Sequence, residues 1–124
     1  MKVLIVDDSS TMRRMLKKHL SKRGIEDTVQ AKDGQEALDK LAENRDVKLV
    51  LCDWNMPVMD GLECLKKFRS DAANKDIIFV MVTTESDKSN IVQAIQNGAN
   101  NYILKPFTEE EFLSKIDQII PANK

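Results

Sequence analysis

The sequence predicts an α/β fold, five parallel strands alternating with five helices that cover both faces of one sheet. Short apolar runs, Val3-Leu4-Ile5-Val6, Leu49-Val50-Leu51-Cys52 and Phe79-Val80-Met81-Val82, are separated by stretches with helical apolar spacing. Strict alternation of that kind implies right-handed crossovers and a parallel sheet. Each run also stops on a polar group: Asp7 and Asp8 after the first, Asp53 after the second, Thr83 after the third, and Lys105 after the shorter run Tyr102-Ile103-Leu104. Finally, 124 residues with 42% apolar content suffice for one core and leave no room for a second, so residues 1–124 read as a single domain.

In order, strand one covers about residues 2 to 7, and Ser9, Ser10 or Thr11 can cap the helix behind it, whose apolar face is Met12, Met15, Leu16 and Leu20. Gly24 ends that helix. A weaker strand follows at Asp27 to Ala31, then an Asp33-Gly34 turn and a helix marked by Ala37, Leu38 and Leu41. Strand three is Lys48 to Asp53. A loop opens at Met56-Pro57 and closes at Gly61, and Leu62, Leu65 and Phe68 repeat at helical spacing. Strand four is Ile77 to Val82. The fourth helix carries Ile91, Ala94 and Ile95 and stops at Gly98; strand five is Tyr102 to Leu104, and the last helix carries Phe112, Ile116 and Ile119.

Parallel strands share one carboxyl edge, so Asp7, Asp8, Asp53, Thr83 and Lys105 converge on one crevice although they span nearly the whole chain. Crowded carboxylates stay ionised only with a cation among them, and an oxygen-only donor set favours Mg²⁺ or Ca²⁺. Taken alone, an acid before a helix is an ordinary partner for the helix dipole. The joint pattern of three acids, a hydroxyl and an ammonium argues for a metal and a phosphoryl group.

Composition excludes several classes. The 19 basic and 20 acidic residues give a net charge of −1, with no basic excess to mark a nucleic-acid binder. Arg13, Arg14, Lys17, Lys18, Lys22 and Arg23 form a basic surface on helix one, read as a solvated face or as a dock for an acidic protein. No run reaches membrane-spanning length, and the amino-terminal run is too short for a signal peptide. Cys52 and Cys64 form no C-x-x-C pattern and read as reduced, packed thiols, so a cytoplasmic location is expected. His19 falls on the apolar side of helix one as a packing residue, and Trp54 is expected as a half-exposed neighbour of Asp53.

The segments Val6-Asp7-Asp8-Ser9-Ser10, Asp53-Trp54-Asn55-Met56-Pro57, Val82-Thr83-Thr84 and Leu104-Lys105-Pro106-Phe107 together resemble the receiver domain of bacterial response regulators, most closely its single-domain chemotaxis members. The resemblance covers essentially the whole chain. It implies a flavodoxin-like, doubly wound sheet with strand order 2-1-3-4-5; that order belongs to the family and does not follow from periodicity. It further implies that Asp53 is the phospho-acceptor, that Asp8, Asp53 and the backbone carbonyl of Asn55 ligate Mg²⁺ with Asp7 assisting through water, and that Thr83 and Lys105 bind the phosphoryl oxygens. Lys105-Pro106 is expected to be a cis bond. Thr83 and Tyr102 are implied as the switch, altering the surface of helix four, strand five and helix five.

The function so implied is a stand-alone, monomeric phosphorylation switch of a two-component system, not a turnover enzyme. Its expected partners are a histidine kinase upstream, the flagellar motor switch or another separate effector downstream, and a phosphatase. No output domain is expected after Pro121-Ala122-Asn123-Lys124. A single-domain phosphorelay or phosphate-sink receiver is the nearest alternative. An FMN carrier is disfavoured because Asp7 and Asp8 would repel the flavin phosphate. An aspartate-based phosphatase is disfavoured by adjacent aspartates where that family has D-x-D, and by the absence of length for a cap domain.

Overall fold

A computed structural model of the chain describes residues 1–120; the segment 121–124, on which the expected absence of an output domain was placed, lies outside the described residues. The elements alternate as β1 (Lys2–Val6), α1 (Ser10–Ser21), β2 (Thr28–Ala31), α2 (Gly34–Glu43), β3 (Val47–Cys52), α3 (Gly61–Ser70), β4 (Ile78–Thr83), α4 (Lys88–Gln96), β5 (Asn101–Leu104) and α5 (Glu109–Ile119), with a 3₁₀ turn at Ala72–Asn74 that no sequence signal announced. All strands are parallel and ordered β2-β1-β3-β4-β5.

Alternation along each strand divides the core into two layers. Leu4, Val6, Val50, Cys52, Phe79 and Met81 face α2, α3 and α4, where Leu41, Leu65, Phe68 and Ala94 meet them. Val3, Ile5, Leu49, Leu51, Val80 and Val82 face α1 and α5, against Leu16, Leu20, Phe112 and Ile116. Successive side chains point to opposite faces, so a strand covered on both sides must be apolar at every position. This is why the strands read as unbroken runs.

Each α-helix begins on a side-chain cap. Ser9 Oγ accepts from the Met12 N–H at 3.1 Å, Asp33 from Glu36 at 2.8 Å and Asp60 from Glu63 at 2.9 Å. Asp87 accepts from Ser89, and Thr108 and Glu111 cap α5 reciprocally. Asp33 is therefore a cap as well as a turn residue.

Helix α4 departs from expectation. Ile95, placed on its apolar face, is 46% exposed, as is Val92 at 44%. The buried stripe centres on Ala94 with Asn90, Ile91 and Asn97 at its flanks. At 3.6 residues per turn, Ile95 stands about 100° away from that line.

Candidate functional site

The register sets the crevice. Val6 pairs with Cys52, and Cys52 with Met81, so the residues that follow β1 and β3 emerge side by side. The ladder continues past the strand ends: Asp7 N–H donates to the Ala31 carbonyl at 3.1 Å, Asp53 N–H to Val6 at 2.9 Å, and Lys105 N–H to Thr83 at 2.9 Å. Asp7, Asp53 and Lys105 are therefore held by the sheet, although none is a strand residue. Thr83 is the last residue of β4, one position further into the strand than the sequence suggested.

Glycine at position 61 allows α3 to close on this edge. A Cβ there would lie 2.1 Å from the Asp53 carbonyl oxygen and 2.9 Å from Trp54 Cα, and the Gly61 N–H donates to the Trp54 carbonyl at 2.7 Å. The Asp53 backbone and the start of α3 thus share a space that admits no side chain.

Asp7, Asp8 and Asp53 each offer a carboxylate oxygen within 4.8 Å of the others. Asp7 is 2% exposed and Asp53 8%, while Asp8 is open to solvent. Lys105 reaches in from the β5–α5 loop, past the cis Lys105–Pro106 bond, to place Nζ 2.8 Å from Asp7 Oδ2 and 3.3 Å from Asp53 Oδ2. Backbone donors orient the second oxygens: the Ser9 N–H donates to Asp7 Oδ1 at 2.9 Å and the Trp54 N–H to Asp53 Oδ1 at 2.7 Å. One ammonium is thus shared by two nearly buried carboxylates, with a third beside them.

Burial pushes the Asp7 carboxyl up from its ordinary range and outweighs the downward pull of Lys105 and the Ser9 N–H. Burial also opposes the charge on Lys105, but Asp7 and Asp53 overcome it and raise the ammonium's pKa. Three carboxylates surround one ammonium, so the site is short of positive charge. A compact set of oxygen donors, partly open to water and under-neutralised, suits a hard divalent cation such as Mg²⁺.

Thr83 is fully buried, and its Oγ1 accepts from the Glu85 N–H at 3.3 Å; Thr84 is exposed. Tyr102 is packed inward, its hydroxyl donating to the Glu85 carbonyl at 2.6 Å. Burial, with the Glu85 and Asp53 charges, pushes its phenol up to about 12. The Glu85 carboxylate accepts from Asn55 Nδ2 at 3.2 Å and from Asn90 Nδ2 at 2.8 Å. Glu85 therefore links the loop after Asp53, the residue pair Thr83 and Tyr102, and the first turn of α4. Sequence reasoning missed it, because a glutamate in a polar loop carries no local signal. Arg13 was misjudged in the other direction.

The basic surface of α1 is thinner than its composition. Arg13 donates to the Asp7 carbonyl at 2.6 Å and to Gln30 at 3.0 Å, and so steadies the site's own backbone. Arg23 forks onto Asp117 at 3.0 and 2.9 Å, and Lys22 lies 3.6 Å from Glu109. Arg14, Lys17 and Lys18 remain exposed. His19 packs against Phe112, its ring centroid 5.7 Å away, with Nδ1 buried and without a hydrogen-bond partner among the described residues. Cys52 and Cys64 are free and buried. The neighbouring Cys64 thiol and burial push the Cys52 thiol up, consistent with packing roles. Trp54 is half-buried beside Asp53. No helix among the described residues is long and apolar enough to cross a membrane.

Comparison with known proteins agrees with this geometry. The chain is 48% identical over 123 residues to the chemotaxis protein CheY1 of Helicobacter pylori, covering 99% of each. Among solved structures it superposes on the chemotaxis protein CheY4 of Vibrio cholerae with a TM-score of 0.87 at 34% identity, covering 96% of this chain and 98% of that one. It superposes on the CheX–CheY–BeF₃–Mg²⁺ complex of Borrelia burgdorferi with a TM-score of 0.89 at 27% identity, covering 95% and 87%. The response regulator receiver domain model matches residues 3–117, and on that match and these relatives the chain belongs to the response regulator receiver family, among its CheY-like chemotaxis members.

Proposed function

We propose that Asp53 accepts a phosphoryl group from a phosphohistidine on a histidine kinase, and that the phosphorylated chain switches its binding to a separate effector such as the flagellar motor switch. The observation that carries this reading is the convergence of Asp7, Asp8 and Lys105 on Asp53. An Asp53 oxygen attacks phosphorus while the donor's P–N bond breaks, and the imidazole nitrogen keeps the electron pair and takes a proton. Trp54 N–H fixes one Asp53 oxygen, leaving the other as the nucleophile. Asp7, Asp8, Asp53 and the backbone carbonyl of Asn55 would hold Mg²⁺, which would offset charge on the phosphoryl oxygens. Lys105 exchanges its carboxylate contacts for a phosphoryl oxygen as a point charge. Thr83, buried in the unmodified chain, turns its hydroxyl toward the same group and draws on the Glu85 loop, which Tyr102 also holds.

The relative from Borrelia burgdorferi, solved with BeF₃ and Mg²⁺, supports the ligand chemistry, since BeF₃ mimics a phosphoryl group. That relative's complex with CheX supports binding to a separate protein. On this reading the chain works as a cytoplasmic receiver that self-dephosphorylates and does not turn over a substrate. Acetyl phosphate with Mg²⁺ is expected to label the wild type with an acid-stable, base-labile adduct and to leave Asp53→Asn unlabelled. Equal labelling of that variant would reject Asp53 as acceptor.

A further inference from the structure

Asp8 is the exposed member of the carboxylate cluster and the one without a partner of its own. Lys105 bonds Asp7 and Asp53, and among the described residues no group hydrogen-bonds to the Asp8 carboxylate. An exposed carboxylate has several rotamers open to it. Its oxygen nevertheless lies within 4.8 Å of oxygens on Asp7 and Asp53, so what aims it is the backbone.

That backbone is held on both sides of Asp8. The peptide before it has its carbonyl on Arg13, whose Nη1 donates to the Asp7 oxygen at 2.6 Å. The peptide after it has its N–H on Asp7, with Ser9 N–H donating to Oδ1 at 2.9 Å. Peptides are planar and a residue turns only about the two bonds between them, so holding both planes sets where the Asp8 side chain leaves the chain. Arg13 is braced in turn. Its Nε donates to Gln30 Oε1 at 3.0 Å, and Gln30 stands in β2 next to Ala31, whose carbonyl takes the Asp7 N–H at 3.1 Å. A planar guanidinium can grip two acceptors on different elements at once, which a single ammonium does less rigidly. One side chain of α1 thus ties β2 to the loop after β1.

Arg13 reaches a carbonyl and not a carboxylate, and this decides what it can do for a metal. As a charge beside the site it opposes a dication. As a brace it favours one, because Mg²⁺ demands near-octahedral coordination and tolerates little wandering of its ligands. From this, and resting on the metal reading above, we infer that Arg13 is a positioning residue of the metal site: through the Asp7 carbonyl it aims the unpartnered carboxylate of Asp8, with Gln30 as its brace. The charge and the brace act with opposite signs, so experiment separates them.

The test uses the full chain and follows Mg²⁺ binding through Trp54 fluorescence, with urea midpoints in the absence of metal as the check on folding. Arg13→Met keeps an unbranched side chain and removes its donors. It should weaken Mg²⁺ binding about tenfold, the usual loss when a residue that orients a metal ligand is removed. Gln30→Ala should weaken it about threefold, since the bond to the Asp7 carbonyl survives without its brace. Both effects should vanish in the Asp8→Ala background, where no carboxylate remains to be aimed. Mg²⁺ binding by Arg13→Met as tight as that of the wild type, or tighter, would overturn the inference. A loss of the same size in the Asp8→Ala background would overturn it as well, because a general structural role predicts additivity. Should Arg13→Met fold poorly, Gln30→Ala decides by the same comparison. Asp8→Ala binding Mg²⁺ as tightly as the wild type, or a wild type that binds no Mg²⁺, would instead overturn the metal reading.

Discussion

Lys105→Met removes the one ammonium that two nearly buried carboxylates share, and its cost should shrink when a divalent cation binds. Without a divalent cation, Asp7 and Asp53 lose contacts of 2.8 and 3.3 Å and keep only the Ser9 and Trp54 N–H groups. Their oxygens lie within 4.8 Å of each other, where two like charges repel by about 3–4 kcal/mol at an effective dielectric near 20. Truncating one partner of a buried pair costs about 3–5 kcal/mol, and slight solvent access to Lys105 places the loss near the lower end, about 3 kcal/mol. Saturating Mg²⁺ should narrow that difference by as much as the variant gains in metal affinity, because the dication supplies the missing charge and no longer competes with an ammonium. The variant should accordingly bind Mg²⁺ more tightly, and a tenfold gain would correspond to about 1.4 kcal/mol. Urea denaturation with and without Mg²⁺, together with a Trp54 fluorescence titration, measures both quantities. A variant as stable as wild type in the absence of metal, or one that binds Mg²⁺ more weakly, would refute the electrostatic account.

Three further outcomes follow from other contacts. Gly61→Ala should cost about 2–3 kcal/mol and slow acetyl phosphate labelling, because its Cβ would press on the Asp53 carbonyl at 2.1 Å; a neutral urea midpoint would show that α3 can retreat. Tyr102→Phe should cost about 1 kcal/mol by leaving the Glu85 carbonyl without its donor, and should weaken phosphorylation-dependent effector binding while labelling proceeds normally. Full binding by both Tyr102→Phe and Thr83→Ala would send the signal by another route. His19 gives a pH dependence: burial lowers its pKa despite Glu109, with Lys18 and Lys22 also disfavouring the charge. The folded state therefore prefers the neutral ring, and stability present above the unfolded value of about 6.5 is lost as pH falls from there toward the lower folded value. His19→Gln should flatten that acidic slope in urea melts, and an unchanged slope would place the titrating group elsewhere.

The strands and their order of appearance were legible because a sheet covered on both faces demands apolar residues at every strand position, as in Val3 to Val6 and Leu49 to Cys52. The same rule made the strand ends conspicuous, and through them Asp7, Asp8, Asp53, Thr83 and Lys105, since chemistry in such a sheet lies just past its carboxyl edge. Boundaries were off by one where the ladder runs on, as at Thr83, because hydrogen bonds and not hydropathy end a strand. Composition misled wherever side chains found partners from afar. Arg13 belongs to the Asp7 backbone, and Arg23 to Asp117 some ninety residues away, although both counted toward a free basic surface. Ile95 misled through periodicity, because only packing chooses which line along α4 meets the sheet.

What the sequence alone determined is the class of fold and the identity of the groups that meet at the sheet's carboxyl edge, since both follow from local pattern and from topology. The tertiary structure decided the distances between them, and with those the shortage of positive charge that Lys105 leaves around Asp7 and Asp53. It also decided the link from Glu85 to Asn55, Asn90 and Tyr102, and the hold of Arg13 on the Asp7 carbonyl. These depend on where separate segments come to rest against one another. Local propensity carries no information about that, because burial and long-range hydrogen bonds exist only once the whole sheet has closed.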